Sequence, residues 1–355
     1  MDLNNKRVLI IKPSSLGDVV HTLPLAHAIK RNYPRCHLAW VVQNRFAPIL
    51  ENDPAIDEII PIEIPSTSEP SAGRGIYLRA ASATLAAMRD LRRKFRETAF
   101  DLVLDLHASF RSGLFAVAVA HARRIGFSDA KELNTFFQNE HVVCPPDVIH
   151  AVDKNLQFAR WLDVEPIQED FRLVVGEYQR ERAVGFLRAS GIASGGRLVY
   201  INPCARWATK LWNVDAWAKL CGILRQQADI NIVLGGGPAD REYLEAIRIA
   251  SGTDCVVAAG LLSLGESAAL LGLSKLYVGV DSGPMHIAAF VGVQVVALFG
   301  PTDPAKVGPY GEGHRIVRRE ELACLGCRKR ACDNRRCMDE LDPAYLAQVC
   351  LEMLR

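Results

Sequence analysis

The stretch that most constrains this chain runs from Val278 to Tyr310 and reads VGVDSGPMHIAAFVGVQVVALFGPTDPAKVGPY. The apolar run Leu276 to Val280 has the length of a buried parallel strand. Asp281, Ser282 and Gly283 break it. Pro284 suits the first position of a helix, where its missing N–H would have no partner anyway, and Ser282 is an N-cap candidate. The pattern predicts a helix from Met285 to Val291, stopped at Gly292. A second strand follows over Val293 to Phe299, then a Gly/Pro loop over 300–304. Such a strand–turn–helix–strand unit aims free N–H groups and the positive end of a helix dipole over its turn. That suits an anion, a diphosphate first of all. An ordinary capped βαβ unit would show the same pattern. Asp281 and His286 add ligand-facing chemistry that a cap alone does not need.

The same alternation recurs through the chain. Arg7 to Lys12 reads as a buried strand that turns at Pro13-Ser14-Ser15-Leu16-Gly17-Asp18 into a helix over Val19 to Arg31. The turn lacks the G-x-G-x-x-G dinucleotide fingerprint, which disfavours a dehydrogenase. Asp18 projects from it, either as ligand-facing chemistry or as a carboxylate stabilising the helix N-terminus. Strands are predicted at Leu38 to Val42, within Ile56 to Ile64, at Leu102 to Leu106 and at Arg124 to Phe127. Residues 65–75 read as a mobile loop, and Tyr77 to Phe95 as a helix with a basic tail. His107 and Arg111 follow the fourth strand, on the carboxyl-end rim that carries Asp18. Ala151 to Leu162 reads as a helix and 164–171 as a linker.

In the second half, Arg197 to Ile201 is a strand ending in a long loop that carries Trp207, Thr209, Lys210 and Trp212. A lysine there can reach a phosphate. Ile230 to Leu234 ends in Gly235-Gly236-Gly237, where a ligand can approach the backbone. Glu242 lies in the first turn of the next helix, as a dipole partner or a ribose ligand. The pattern predicts α/β architecture: two doubly wound Rossmann-like domains whose strand ends face each other across a cleft.

Composition narrows the class. At 355 residues two domains are expected. The formal net charge of +2 gives no reason to propose nucleic acid as a partner. No apolar run approaches the ~20 residues of a membrane span, and the polar start is not a signal peptide. Ten cysteines in a chain this long suit reduced thiols in the cytoplasm. Four cluster as Cys324-x2-Cys327-x4-Cys332-x4-Cys337, a zinc candidate set or reduced structural thiols.

Taken together, RVLIIKPSSLGDVVHTLPL, DLVLDLHASFRSG, INPCARWATKLW, LGGGPADRE and the 278–304 stretch resemble the ADP-heptose:lipopolysaccharide heptosyltransferases of glycosyltransferase family 9. The resemblance implies two facing Rossmann-like domains (GT-B): an acceptor domain at 1–170, an ADP-sugar domain at 171–335, and a last helix in 336–355 packing back on the first domain. It implies an inverting transfer of L-glycero-D-manno-heptose from ADP-heptose to the lipopolysaccharide inner core. No metal and no cofactor would take part. The enzyme would be cytoplasmic and peripheral to the inner membrane. Asp18 would be the general base. Ser15, Gly17, His107 and Arg111 would face the acceptor. Thr209, Lys210, Glu242, Asp281, Ser282, Gly283 and His286 would bind the donor. A nucleotide-sugar epimerase of the same architecture is the alternative. Two departures stand out: Cys204 where glycine is common after Asn-Pro, and Arg111 where lysine is common. The cysteine tail is similar to that of the second-heptose enzymes, the opening segment to that of the first-heptose enzymes, so the acceptor stays open.

Overall fold

The computed structural model of the chain describes residues 1–66, 73, 75–119, 123–192, 196–227 and 230–355. Most of the 65–75 loop, Arg74 included, therefore lies outside the described residues. The chain divides into two compact units, Met1–Arg172 and Leu173–Arg355.

The first unit holds strands β1 (Arg7–Ile11), β2 (His37–Gln43), β3 (Glu58–Ile62), β4 (Leu102–Asp105), β5 (Arg123–Phe127) and β6 (Glu140–Val142). Its helices are α1 (Leu16–Val20), α2 (Leu23–Asn32), α3 (Gly75–Lys94), α4 (Phe110–Ala118), α5 (Ala151–Asn155) and α6 (Gln157–Trp161). All neighbouring strands pair parallel, in the order β3-β2-β1-β4-β5-β6. β1 and β4, buried on both faces, carry Leu9, Ile11 and Val103 into a core shared with Phe100 and Phe115. The sequence pattern reads 19–31 as one helix, whereas the structure breaks it at His21 and Thr22. There Thr22 Oγ1 donates to the Asp18 carbonyl at 2.9 Å, and Pro24 supplies no N–H in the first turn of α2. Asn155 seals the break by donating to the His21 carbonyl at 3.1 Å.

The second unit repeats the plan. Its strands are β7 (Arg197–Asn202), β8 (Ile230–Leu234), β9 (Val256–Val257), β10 (Leu276–Val280), β11 (Gln294–Leu298) and β12 (Arg315–Val317). Its helices are α7 (Glu177–Ala189), α8 (Val214–Arg225), α9 (Arg241–Ser251), α10 (Leu264–Gly272), α11 (Gly283–Phe290), α12 (Pro304–Val307), α13 (Arg336–Asp339) and α14 (Pro343–Met353). The order β12-β11-β10-β7-β8-β9 is the same 3-2-1-4-5-6 arrangement read from the other edge. In each sheet the chain reverses its direction of travel between two central strands: β1 and β4 in the first, β7 and β10 in the second. Loops leaving the carboxyl ends of those strands splay apart and leave a crevice.

The last helix departs from the sequence expectation, which places it on the first domain. Its apolar stripe Leu346, Ala347, Val349 and Cys350 is buried in the second unit's own core, against α8, β10 and β11. Met338 and Leu341, just before it, are already anchored in that core. Gly300 makes room for them, since a Cβ there would lie 2.8 Å from Cys337 Sγ and 2.9 Å from Met338 Sδ.

Candidate active site

At the β1/β4 switch point of the first unit, the register sets Ile11 beside Asp105, so the loops after both strands leave side by side. Lys12 follows β1. Its ammonium donates to the Leu106 carbonyl at 2.7 Å and lies 4.0 Å from Asp18 Oδ1. Asp18 occupies the first turn of α1, where its Oδ2 accepts from the Ser15 N–H at 2.8 Å and from Ser15 Oγ at 2.7 Å. One carboxylate oxygen is thus committed to capping. The side chain is 43% exposed, and Oδ1 lies 4.0 Å from the Lys12 ammonium. Partial burial pushes the carboxyl pKa up, but Lys12, the two Ser15 donors and His107 outweigh it and hold it below the usual range. Both sequence readings of Asp18 therefore have a physical basis: it caps α1 with one oxygen and presents an ionised, spare oxygen with the other.

His107 stands next to it. Burial, then Lys12, depress its pKa to about 4, so the imidazole is neutral at physiological pH. Arg111, in the first turn of α4, acts on it in the same direction. What holds this loop was not evident from the sequence. Asp105, fully buried at the end of β4, accepts from the backbone of His107 at 3.1 Å and Ala108 at 3.2 Å. It also accepts from Ser112 Oγ at 3.0 Å, Asn134 Nδ2 at 2.7 Å and Gln138 Nε2 at 3.0 Å. Burial still raises its pKa against all these donors. Asp105 folds the 106–112 loop so that His107 and Arg111 reach the rim. Gly17 is buried inside α1.

In the second unit the corresponding rim is built by the loops after β7 and β10. Lys210 Nζ donates to Asp281 Oδ2 at 2.6 Å and to the Asp281 carbonyl at 3.3 Å. The pair is largely enclosed, at 15% and 7% side-chain exposure. An ammonium has three N–H groups, so one remains for a ligand. Ser282 is the N-cap residue of α11, but its side chain makes no capping hydrogen bond. Instead its Oγ accepts from Asn202 Nδ2 at 2.9 Å. Gly283 opens the helix and His286, one turn in, is buried. Gly279, one residue before the end of β10, is required by crowding: a Cβ would lie 2.7 Å from the Asn202 carbonyl.

Two sequence readings shift, those of the glycines after β8 and of Thr209. Gly235 and Gly236 are explained by packing, because a Cβ on either would strike Tyr200 or Leu244. Trp212 is buried edge-to-face on Trp217 at 5.0 Å. Trp207 offers its faces to Lys210 at 4.7 Å and Arg330 at 5.0 Å. Thr209 is buried, and its hydroxyl donates to the Lys329 carbonyl at 2.8 Å, so its visible work is to hold the loop. Arg335 donates to the Ala208 carbonyl at 2.9 Å and the Leu211 carbonyl at 3.3 Å. The basic residues of the cysteine segment thus brace the Lys210 loop, a role with no sequence signal. Cys324, Cys327 and Cys332 are exposed, and among the described residues no group of three or more His, Cys, Asp or Glu side chains is placed to hold a metal ion. Glu242 is exposed in the first turn of α9 and is not drawn into the Lys210–Asp281 cluster.

With both rims described, the likeness to known proteins is decisive. The family model of glycosyltransferase family 9 (heptosyltransferase) matches residues 88–338. The chain belongs to that family. It is 30% identical over 333 residues to lipopolysaccharide heptosyltransferase 1 of Pseudomonas aeruginosa, covering 92% of this chain and 87% of that one. Among solved structures, the E. coli heptosyltransferase WaaC with ADP superposes with a TM-score of 0.73 at 26% identity, covering 98% of this chain and 99% of that one. The glycosyl transferase family 9 structure from Veillonella parvula gives a TM-score of 0.83 at 23% identity over 100% and 98% of the two chains, a likeness of fold. This chain is therefore a glycosyltransferase of the heptosyltransferase family, built on two Rossmann-like units, whose relatives act in lipopolysaccharide synthesis. Among the described residues no helix is long and apolar enough to cross a membrane.

Proposed function

We propose that this glycosyltransferase moves L-glycero-D-manno-heptose from ADP-heptose to a hydroxyl of the lipopolysaccharide inner core, inverting the anomeric carbon, at the inner face of the cytoplasmic membrane. One observation carries the reading. Lys210, held by Asp281 at the start of α11, offers a spare N–H and a positive charge beside an uncapped helix end. Both stabilise the negative charge that develops on a departing ADP. The acceptor oxygen attacks the anomeric carbon as the bond from that carbon to the phosphate oxygen breaks. The electron pair leaves with ADP, and the acceptor proton passes to Asp18 Oδ1. His107, Arg111 and the Ser15–Gly17 turn bind the acceptor. Asp281, Ser282, Gly283 and His286 complete the phosphate end of the donor site, Thr209 holds the Lys210 loop in place, Glu242 reaches the donor from α9, and no metal is needed. The likeness to lipopolysaccharide heptosyltransferase 1 supports transfer to lipopolysaccharide, with Kdo-lipid A or heptosyl-Kdo-lipid A as the acceptor. It also leaves the epimerase alternative unfavoured.

The test is incubation with ADP-heptose, with and without each truncated acceptor, in the presence of a chelator. Sugar transfer and ADP release that need the acceptor and ignore the chelator are expected. Epimerisation without acceptor, or a strict need for added Mg²⁺, contradicts the proposal.

A further inference from the structure

The layer formed by α3, α4 and the 134–137 turn has an outer surface unlike the rest of the first unit. Helix α3 buries Ala80, Thr84 and Leu91. Along its outward side, at helical spacing, run Leu78, Leu85, Arg89 and Arg92, and Arg96 is exposed just past its end. Leu78 is 77% and Leu85 52% exposed, and Tyr77 adds an exposed ring at the same end. A solvated helix keeps such a stripe polar. The three arginines' side chains make no ion pair or hydrogen bond among the described residues, although Arg93 pairs with Asp90 on the same helix and Lys94 with Glu58 of β3. Residues 75–97 carry a net charge of +4, more than the whole chain's +2.

The neighbouring elements of the layer continue the pattern. α3 packs on α4, and the 134–137 turn packs on α4. Phe110 stands exposed one residue before Arg111, Phe136 is 82% exposed, and Leu133 is turned outward at φ +60°. Elsewhere in the unit, α2 and α6 expose no large apolar side chain, and Val143, Ile149 and Ile167 stand exposed in connecting segments. The asymmetry calls for a partner that takes apolar side chains and positive charge together over a broad face.

We infer that the outer face of α3, with Phe110, Leu133 and Phe136 beside it, docks on a bilayer rich in anionic phospholipid. Leucine and aromatic side chains enter the acyl boundary while arginines lie among phosphates, as in an interfacial amphipathic helix. The inference rests on the proposed use of a lipid-linked acceptor, and extends it by naming the surface that meets the membrane. α4 then brings Arg111 to the membrane together with Phe110.

The experiment is flotation of the full chain with vesicles that contain neither donor nor acceptor, so it reports docking whether or not the transfer reaction is assigned correctly. Vesicles of phosphatidylethanolamine with phosphatidylglycerol are compared with phosphatidylcholine alone. The parent protein should bind the anionic vesicles and be released by salt. The pairs R89E/R92E and L78S/L85S should each lower partitioning about tenfold or more, with unchanged melting temperature and ADP affinity. Equal binding to both vesicle types, or variants that float like the parent, overturns the inference. So does self-association through this face, lost in L78S/L85S, in a protein that does not bind vesicles.

Discussion

The β1/β4 rim and the β7/β10 rim occupy the same place in the same topology, yet they are chemically opposite. In the second unit a lysine and an aspartate are closed on each other at 2.6 Å and nearly buried. In the first, the lysine–aspartate separation is 4.0 Å and the carboxylate is 43% exposed. The lysine there is satisfied by the Leu106 carbonyl instead. The difference teaches what each rim is prepared to do. A closed pair fixes a cation in position before any ligand arrives, which suits binding of an anion. An open carboxylate with one committed oxygen and one spare oxygen suits receipt of a proton. The fold supplies two equivalent crevices, and on the proposed function the side chains at the strand ends divide the labour.

The largest effect that would break or sharpen this contrast is at the open rim. Asp18→Asn keeps an oxygen that can accept from Ser15 and so preserves the cap, but it cannot take a proton. We expect kcat to fall by roughly a hundredfold or more, while the lost charge at the helix start costs only ~0.3–1 kcal/mol of stability. Stopped assays on the folded variant that show turnover within a few-fold of the parent would return Asp18 to a purely capping role. His107 would then be the next base to test.

At the closed rim, Lys210→Ala should weaken ADP binding by ~1–3 kcal/mol, measured by calorimetry. It also strands Asp281 as a buried carboxylate without its cation, so the melting temperature should drop as well. Arg335→Ala leaves Lys210 in place but frees the Ala208 and Leu211 carbonyls, and its effect on ADP affinity should be in the same direction and smaller. An Arg335 variant weaker than the Lys210 variant would mean that loop position, not the ammonium, dominates the site.

Arg111→Glu should raise the acceptor KM well above its effect on the donor KM, because Arg111 belongs to the first rim alone. Equal changes in both would blur the division of labour. The smallest expected effect is with pH. Asp18 is held below the usual carboxylate range, and His107 is depressed to about 4. Both are therefore already unprotonated at neutral pH, so kcat/KM should stay nearly flat from about pH 7 to 5 and fall only below that. The stability terms have the same sign. Each group binds fewer protons folded than unfolded, so stability contributed at neutral pH is lost on acidification through these pKa values. A kinetic limb centred near the ordinary histidine value would mean that His107 is solvated and that the rim is looser than described.

Much of this was legible in the sequence, and the failures have physical causes. Buried central strands announce themselves as apolar runs, so β1, β4, β7, β8, β10 and β11 were placed closely. β6, β9 and β12, two or three residues long at or near sheet edges, carry too little pattern. Helix α7 buries only Ala183, so it shows no apolar stripe. Asp18 and the Asp281–His286 turn are local motifs, readable from adjacent residues. Asp105 binds Asn134 and Gln138, 29 and 33 residues away, and Arg335 grips a loop 127 residues away at Ala208. Such partners meet only through the fold. The last helix was misplaced because its apolar stripe states that it must be buried, not against which core.

The central claim is that the two rims act on different reactants. Titrating ADP-heptose calorimetrically into Asp18→Asn and Lys210→Ala, beside the parent, tests it most directly. The account predicts parent-like affinity for Asp18→Asn and affinity lower by about tenfold or more for Lys210→Ala. Lost donor affinity in a folded Asp18→Asn protein, or full affinity in Lys210→Ala, would contradict it.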